Sequence, residues 1–213
     1  MSKTLVIFDL DGTLMDTSSG ILLAVRDAIK EHGMPELSED QIRTFIGPPI
    51  QWSFEAQYGI SKEQAQSMAD TFRSLYSTKH LLGAVPYPGI YDLLGAINER
   101  GLKSAIATYK REDYALRLLK YYHFDDYTDI MYGGDNDGML KKRDIIQKCI
   151  DMAGVSNLKE VVMVGDTLHD ANGAKELGVD FIGVSFGFGF HGEDANGITN
   201  MAHTPVEILN FIN

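Results

Sequence analysis

Four short apolar runs, Leu5-Val6-Ile7-Phe8, Ser104-Ala105-Ile106-Ala107, Val161-Val162-Met163-Val164 and Phe181-Ile182-Gly183-Val184, do most to limit how this chain can fold. Each is too short for a core helix, and each is separated from the next by helical spacing. Strands apolar on both faces must be covered on both faces, which requires a parallel sheet between layers of helix. The helical patterns fall at 88–100, 111–122, 142–153 and 170–177, with Gly101 and Gly178 where left-handed caps would end two of them. The expected fold class is α/β, with a Rossmann-like parallel sheet as the core.

One region breaks the alternation. From 16 to 82 the pattern is helical throughout, with Ile21, Leu22, Val25, Ala28 and Ile29 on one helix face and Gly33 after it. Ser38-Glu39-Asp40-Gln41 and Ser61-Lys62-Glu63-Gln64 both fit the capping box, in which serine and glutamine each satisfy an orphan amide. A strand-free stretch of this length is too long for a loop. The expected division is therefore a core of 1–15 and 83–213 and an inserted α-helical domain of 16–82, with hinges near 15–19 and 82–87. Met68, Phe72 and Trp52 are expected in its core.

Bulk properties exclude several functions. The 213 residues carry a formal net charge of −11, which repels nucleic acid and anionic membrane. A negatively charged substrate would need a local cation. Cys149 is the single cysteine, so neither a disulfide nor a cysteine zinc site can form within the chain. No signal-peptide pattern or membrane-length apolar run is present, and a cytoplasmic protein, monomer or homodimer, is expected.

In open α/β sheets ligands bind beyond the carboxyl ends of the strands. There the first run gives Asp9-Leu10-Asp11-Gly12-Thr13, the second Thr108, and the third Gly165-Asp166-Thr167-Leu168-His169-Asp170. The fourth gives Ser185-Phe186-Gly187-Phe188-Gly189, read as a rim loop with strain relieved by glycine and lacking the P-loop spacing. Singly, these are a turn, a strand-end hydroxyl and helix N-terminal acids. Asp135-Asn136-Asp137-Gly138 misses the EF-hand register and reads as a polar turn. Converging carboxylates, however, repel unless a cation lies among them, and an all-oxygen open site suits Mg²⁺ shared with phosphate. Thr108 and Lys142 would supply a donor and a charge for an anionic oxygen.

These residues resemble the haloacid dehalogenase superfamily over nearly the whole chain. The resemblance rests on Asp9-x-Asp11-Gly12-Thr13 after a hydrophobic strand, on Thr108, on Lys142 ahead of a helix (Lys141 is the weaker match), and on Gly165-Asp166-x-x-x-Asp170. Phe45-Ile46-Gly47-Pro48-Pro49, Thr108-Tyr109-Lys110 and the Asp137-Gly138 turn are similar to the phosphoglycolate phosphatase and 5′-nucleotidase branch, whose helical insert is a cap. Tyr109 departs from the small residue common there.

The resemblance implies a Mg²⁺-dependent phosphatase acting on a small phosphorylated metabolite. Asp9 would be the nucleophile and Asp11 the acid/base. Asp9, Asp11 and Asp166 would hold the metal, with Asp170 behind them. Leu10, Asp11, Thr108 and Lys142 would hold the phosphate, and Gly47, Arg43, Lys79 and Lys110 are candidate contacts for the rest of the substrate. Asp11 separates this pattern from the dehalogenases, which need no acid for an alkoxide. The alternatives are a phosphomutase of the same superfamily and a receiver-type signalling module, although no receiver places its phosphorylated aspartate on the first strand before a helical insert.

Overall fold

The structure, a computed structural model, describes residues 2–46, 49–135, 139–190 and 195–212. Its strands are β1 Leu5–Phe8, β2 Met15–Asp16, β3 Val85–Pro86, β4 Lys103–Arg111, β5 Met131–Gly134, β6 Val161–Gly165, β7 Asp180–Val184 and β8 Met201–Ala202. Six of them form one parallel sheet in the order β5-β4-β1-β6-β7-β8, while β2 and β3 pair as a short antiparallel ribbon.

The chain divides into two compact units, Met1–Asp16 with Val85–Asn213, and Thr17–Ala84. The second contains α1 Ser18–Glu31, α2 Glu39–Arg43, α3 Ile50–Tyr58, α4 Lys62–Leu75 and a π-helical turn Tyr76–His80. Both capping boxes form, with Ser38 and Gln41 closing the start of α2 and Ser61 and Gln64 that of α4. Helix α4 packs against α1 and α3, burying Ala65, Met68, Ala69 and Phe72. Trp52 corrects the expectation of a core residue: its surface is 64% exposed. Helix α3 turns Phe54 inward, and a residue two places earlier lies ~200° round the helix.

In the sheet unit, α5 Ile90–Glu99, α6 Glu112–Tyr121, α7 Lys142–Ala153 and α8 Leu168–Leu177 connect the strands. Alternate residues of three strands (Leu5, Ile7, Ala105, Ala107, Val161 and Met163) pack with Ile145, Ile146, Cys149 and Ile150 of α7 and Ala174 of α8 in one buried cluster. Val6 and Phe8, facing the other way, are buried too, as a two-sided sheet requires. Central β1 ends at Phe8, level with Ile106 and Val164 of its two neighbours, so the residues that follow these three emerge side by side. That register decides what the following residues can reach.

Candidate active site

Beyond Phe8 the Asp9 amide donates to the Val164 carbonyl at 2.9 Å, which carries β1 one residue further beside β6. The chain then turns sharply: the amides of Thr13, Leu14 and Met15 all return to the Leu10 carbonyl. Gly12 takes φ +82° there, and a Cβ on it would sit 2.2 Å from Asp166 Oδ2, so only glycine fits both the turn and the approach. Asp9 is thereby left buried, while the Asp11 side chain, on the far side of the turn, is 25% exposed.

Strand β4 contributes through a bulge. Ala107 pairs with Tyr132 but Arg111 with Gly134, so Thr108, Tyr109 and Lys110 stand opposite a single residue and leave the normal alternation. Gly133 and Gly134 admit this loop because a Cβ on either would strike its carbonyls, at 2.7 Å in both cases. Thr108 is buried, and its hydroxyl accepts the Lys110 amide at 3.1 Å. The Lys110 ammonium reaches Asp11 Oδ1 at 2.8 Å, and its side chain is only 8% exposed.

Lys142, in the first turn of α7, is buried between Asp9 Oδ1 at 2.6 Å and Asp170 Oδ1 at 2.7 Å. The neighbouring Lys141 is exposed, so Lys142 is the lysine of this cluster. Asp170 Oδ2 takes the amide and hydroxyl of Thr167 at 3.0 and 2.7 Å, and a Cβ on Gly165 would collide with its side chain. Asp166 is fully buried, holding the Phe188 amide at 2.7 Å and the Thr13 hydroxyl at 3.4 Å.

Known proteins resemble the chain along most of its length. The profile of the haloacid dehalogenase-like hydrolases matches residues 6–184, the span from β1 to the end of β7. The chain belongs to that family. A Pseudomonas aeruginosa protein named 5′-nucleotidase is 33% identical over 88% of this chain and 85% of its own length. A Mycobacterium tuberculosis protein named tyrosine-protein kinase is 34% identical over 88% of this chain and 64% of its own. The solved structure of a haloacid dehalogenase-like hydrolase from Streptococcus pneumoniae superposes with TM-score 0.88 at 32% identity, covering 99% of both chains. The chain is therefore an enzyme of a hydrolase family, with that family's α/β fold.

The acidic cluster is electrostatically loaded. Burial pushes the Asp9 carboxyl up to about 8 against the pull of Lys142, and the charges of Asp170, Asp166 and Asp11 add to the push. Burial likewise lifts Asp166 to about 7, helped by Asp170 and opposed by the Phe188 amide and Lys142. Although burial disfavours the Lys142 charge, Asp170 and Asp9 hold it above the usual lysine range. Oxygens of Asp9, Asp166 and Asp170 all lie within 4.8 Å of one another. Three carboxylates against one ammonium leave negative charge uncompensated, and the all-oxygen donor set fits a hard divalent cation.

The structure brings together Asp9, Thr108, Lys142, Asp166 and Asp170, with Asp11 one turn away. Lys110 lies beside the cluster as Asp11's partner. Lys79 pairs with Asp27 at 2.5 Å on the helical unit, where Arg43 is exposed. Gly47, Pro48 and Asn136-Asp137-Gly138, where the sequence suggests a turn, lie outside the described residues.

The sequence pattern places Thr13 in the first motif without giving it Asp166 as a partner, and it reveals neither the Phe188 amide nor the half-buried Tyr87, whose ring meets Phe186 at 5.0 Å. The flanking glycines are the available signal for Phe188, but their reason is corrected. Neither Gly187 nor Gly189 has positive φ. A Cβ on Gly187 would meet the Gly12 carbonyl at 2.2 Å and one on Gly189 the Asp166 carbonyl at 2.3 Å, so close approach, not backbone strain, requires them.

Proposed function

We propose that the chain is a Mg²⁺-dependent phosphatase that hydrolyses a small phosphomonoester through an aspartyl-phosphate on Asp9. The observation that carries this reading is the unlike treatment of two aspartates two residues apart. Asp9 is buried with one oxygen fixed by Lys142, while Asp11 is more open and held separately by Lys110. One suits in-line attack and the other suits proton transfer.

In the first half-reaction an Asp9 oxygen bonds to phosphorus as the ester P–O bond breaks, and Asp11 gives its proton to the departing alkoxide. In the second, water bonds to phosphorus and yields a proton to Asp11 as the Asp9–phosphorus bond breaks, releasing phosphate and restoring Asp9. Thr108, Lys142 and the amides of Leu10 and Asp11 would hold the phosphoryl oxygens. Asp9, Asp166 and the Asp11 backbone carbonyl would hold Mg²⁺, whose charge offsets repulsion between carboxylate and phosphate. Asp170 would keep Lys142 in place rather than touch the metal.

The helical unit is assigned the part of a cap, with Arg43 and Lys79 as its candidate contacts for a second anionic group. The 5′-nucleotidase relative favours nucleoside monophosphates first, with phosphoglycolate and small sugar phosphates beside them. The setting is cytoplasmic, supported by negative charge and, among the described residues, by no helix long and apolar enough to cross a membrane.

Purified protein assayed on a panel of phosphomonoesters should release phosphate with Mg²⁺ and lose that activity in EDTA. Metal-independent release would overturn the cofactor, and isomerisation of a sugar phosphate without hydrolysis would make the chain a mutase. Replacing Asp11 by Asn should lower kcat by ~10²–10⁴ while leaving KM nearly unchanged. An unaltered kcat would remove its acid/base role.

A further inference from the structure

We propose that Tyr109 is a positioning residue that fixes Lys142 for phosphate binding, tying the β4 bulge to the start of α7. The inference rests on the phosphate-binding role proposed for Lys142.

Helix starts leave orphan amides that a side chain of the N-cap residue usually accepts. Helix α7 has Lys141 at its N-cap, and a lysine ammonium has no lone pair to offer. Asp144 returns to the Lys141 amide at 3.0 Å, which ties the helix only to itself. The link to the sheet comes from another element: the Tyr109 hydroxyl oxygen accepts the Lys142 amide at 2.8 Å.

That bond acts on the backbone of the very residue whose ammonium bridges Asp9 and Asp170. The Lys142 ammonium also lies 5.6 Å from the centroid of the Tyr109 ring, within cation–π range. The ring also meets that of His169 edge-on at 5.5 Å and 82°, between the two acids of the α8 turn. Tyr109 is 45% exposed, so core packing does not account for a tyrosine there. Nor would a regular strand have placed it so. Only in the bulge do three consecutive residues serve one site: Thr108 at the sheet edge that carries Asp9, Tyr109 on Lys142, and Lys110 on Asp11.

Tyr109→Phe tests this by removing the acceptor and keeping the ring. With p-nitrophenyl phosphate and Mg²⁺, kcat/KM should fall about 3- to 10-fold, the size of one ordinary hydrogen bond. Affinity for inorganic phosphate should fall with it, and the melting temperature should fall by no more than about 4 °C, as the loss of one part-buried hydrogen bond allows. The decisive reading is a double-mutant cycle with Lys142→Ala, in which adding Tyr109→Phe should cost nothing further because Tyr109 acts through Lys142. An unchanged kcat/KM in Tyr109→Phe overturns the proposal, and so does a loss that persists in full in the Lys142→Ala background. Should Lys142→Ala alone leave phosphate affinity intact, the assignment of Lys142 fails first, which separates the two.

Discussion

Asp9→Asn protein should lose turnover by on the order of 10⁴-fold or more and yet melt no lower than the parent chain. The two halves come from different physics. An amide in place of the carboxylate has no charge to attack phosphorus, and a nucleophile's loss is not made up by its neighbours. The fold, however, gains from the exchange. Burial and the charges of Asp170, Asp166 and Asp11 already push the Asp9 carboxyl up to about 8, so the ionised form is a burden on the native state above that pH. Asn keeps the shape and an acceptor oxygen for Lys142, and it relieves repulsion within the cluster. Thermal melts beside single-turnover assays in Mg²⁺ read both effects. Appreciable Mg²⁺-dependent hydrolysis by the variant would remove Asp9 as nucleophile. A melting point well below the parent's would show that the Lys142–Asp9 attraction outweighs burial and repulsion together, contrary to the raised Asp9 carboxyl.

Such a cluster is legible because its parts sit at strand ends, where position in sequence and position in space are nearly the same. The apolar run Leu5–Phe8 fixes a central strand, and the register of its neighbours then forces Asp9, Thr108 and Asp166 to one edge. Contacts made across that edge are not legible. Lys110 looks like a surface lysine until the bulge turns it towards Asp11, and the bulge follows from Gly133 and Gly134 on a different strand. Strand β5 itself hides behind those glycines, since Met-Tyr-Gly-Gly lacks the β-branched character that marks a strand. Strand β8, two residues at the sheet edge, has too little length to show periodicity. Trp52 misleads for a related reason: hydrophobicity indicates burial only when its helix face is known.

Removing Lys142, the cation between Asp9 and Asp170, should cost more stability than any other single change in the site, and the cost should grow with pH. Lys142→Ala leaves Asp9 and Asp170 buried without their counter-charge, and breaking a buried ion pair from one side costs about 3–5 kcal/mol when the abandoned group stays ionised. In the metal-free parent the folded values of Asp9 and Asp166 lie near 8 and 7, above the ordinary carboxyl value of about 3.9 in an unfolded chain. Carboxyls raised on folding hold protons that the unfolded chain has released. Their stabilising contribution is therefore full below about pH 4 and is lost as pH climbs towards 8.

Lys142 moderates that loss, because its charge pulls both carboxyls down. Without it they rise further, and the decline with pH becomes steeper. Urea denaturation in EDTA should thus show a smaller deficit for the variant near pH 5, widening to about 3–5 kcal/mol near pH 8. Millimolar Mg²⁺ at the higher pH should recover part of the difference, since a dication held by Asp9 and Asp166, whose oxygens lie within 4.8 Å of Asp170, supplies the missing charge. Equal deficits at both pH values would mean that Lys142 stabilises by packing its alkyl stem, and the charge balance assigned to this site would have to be abandoned.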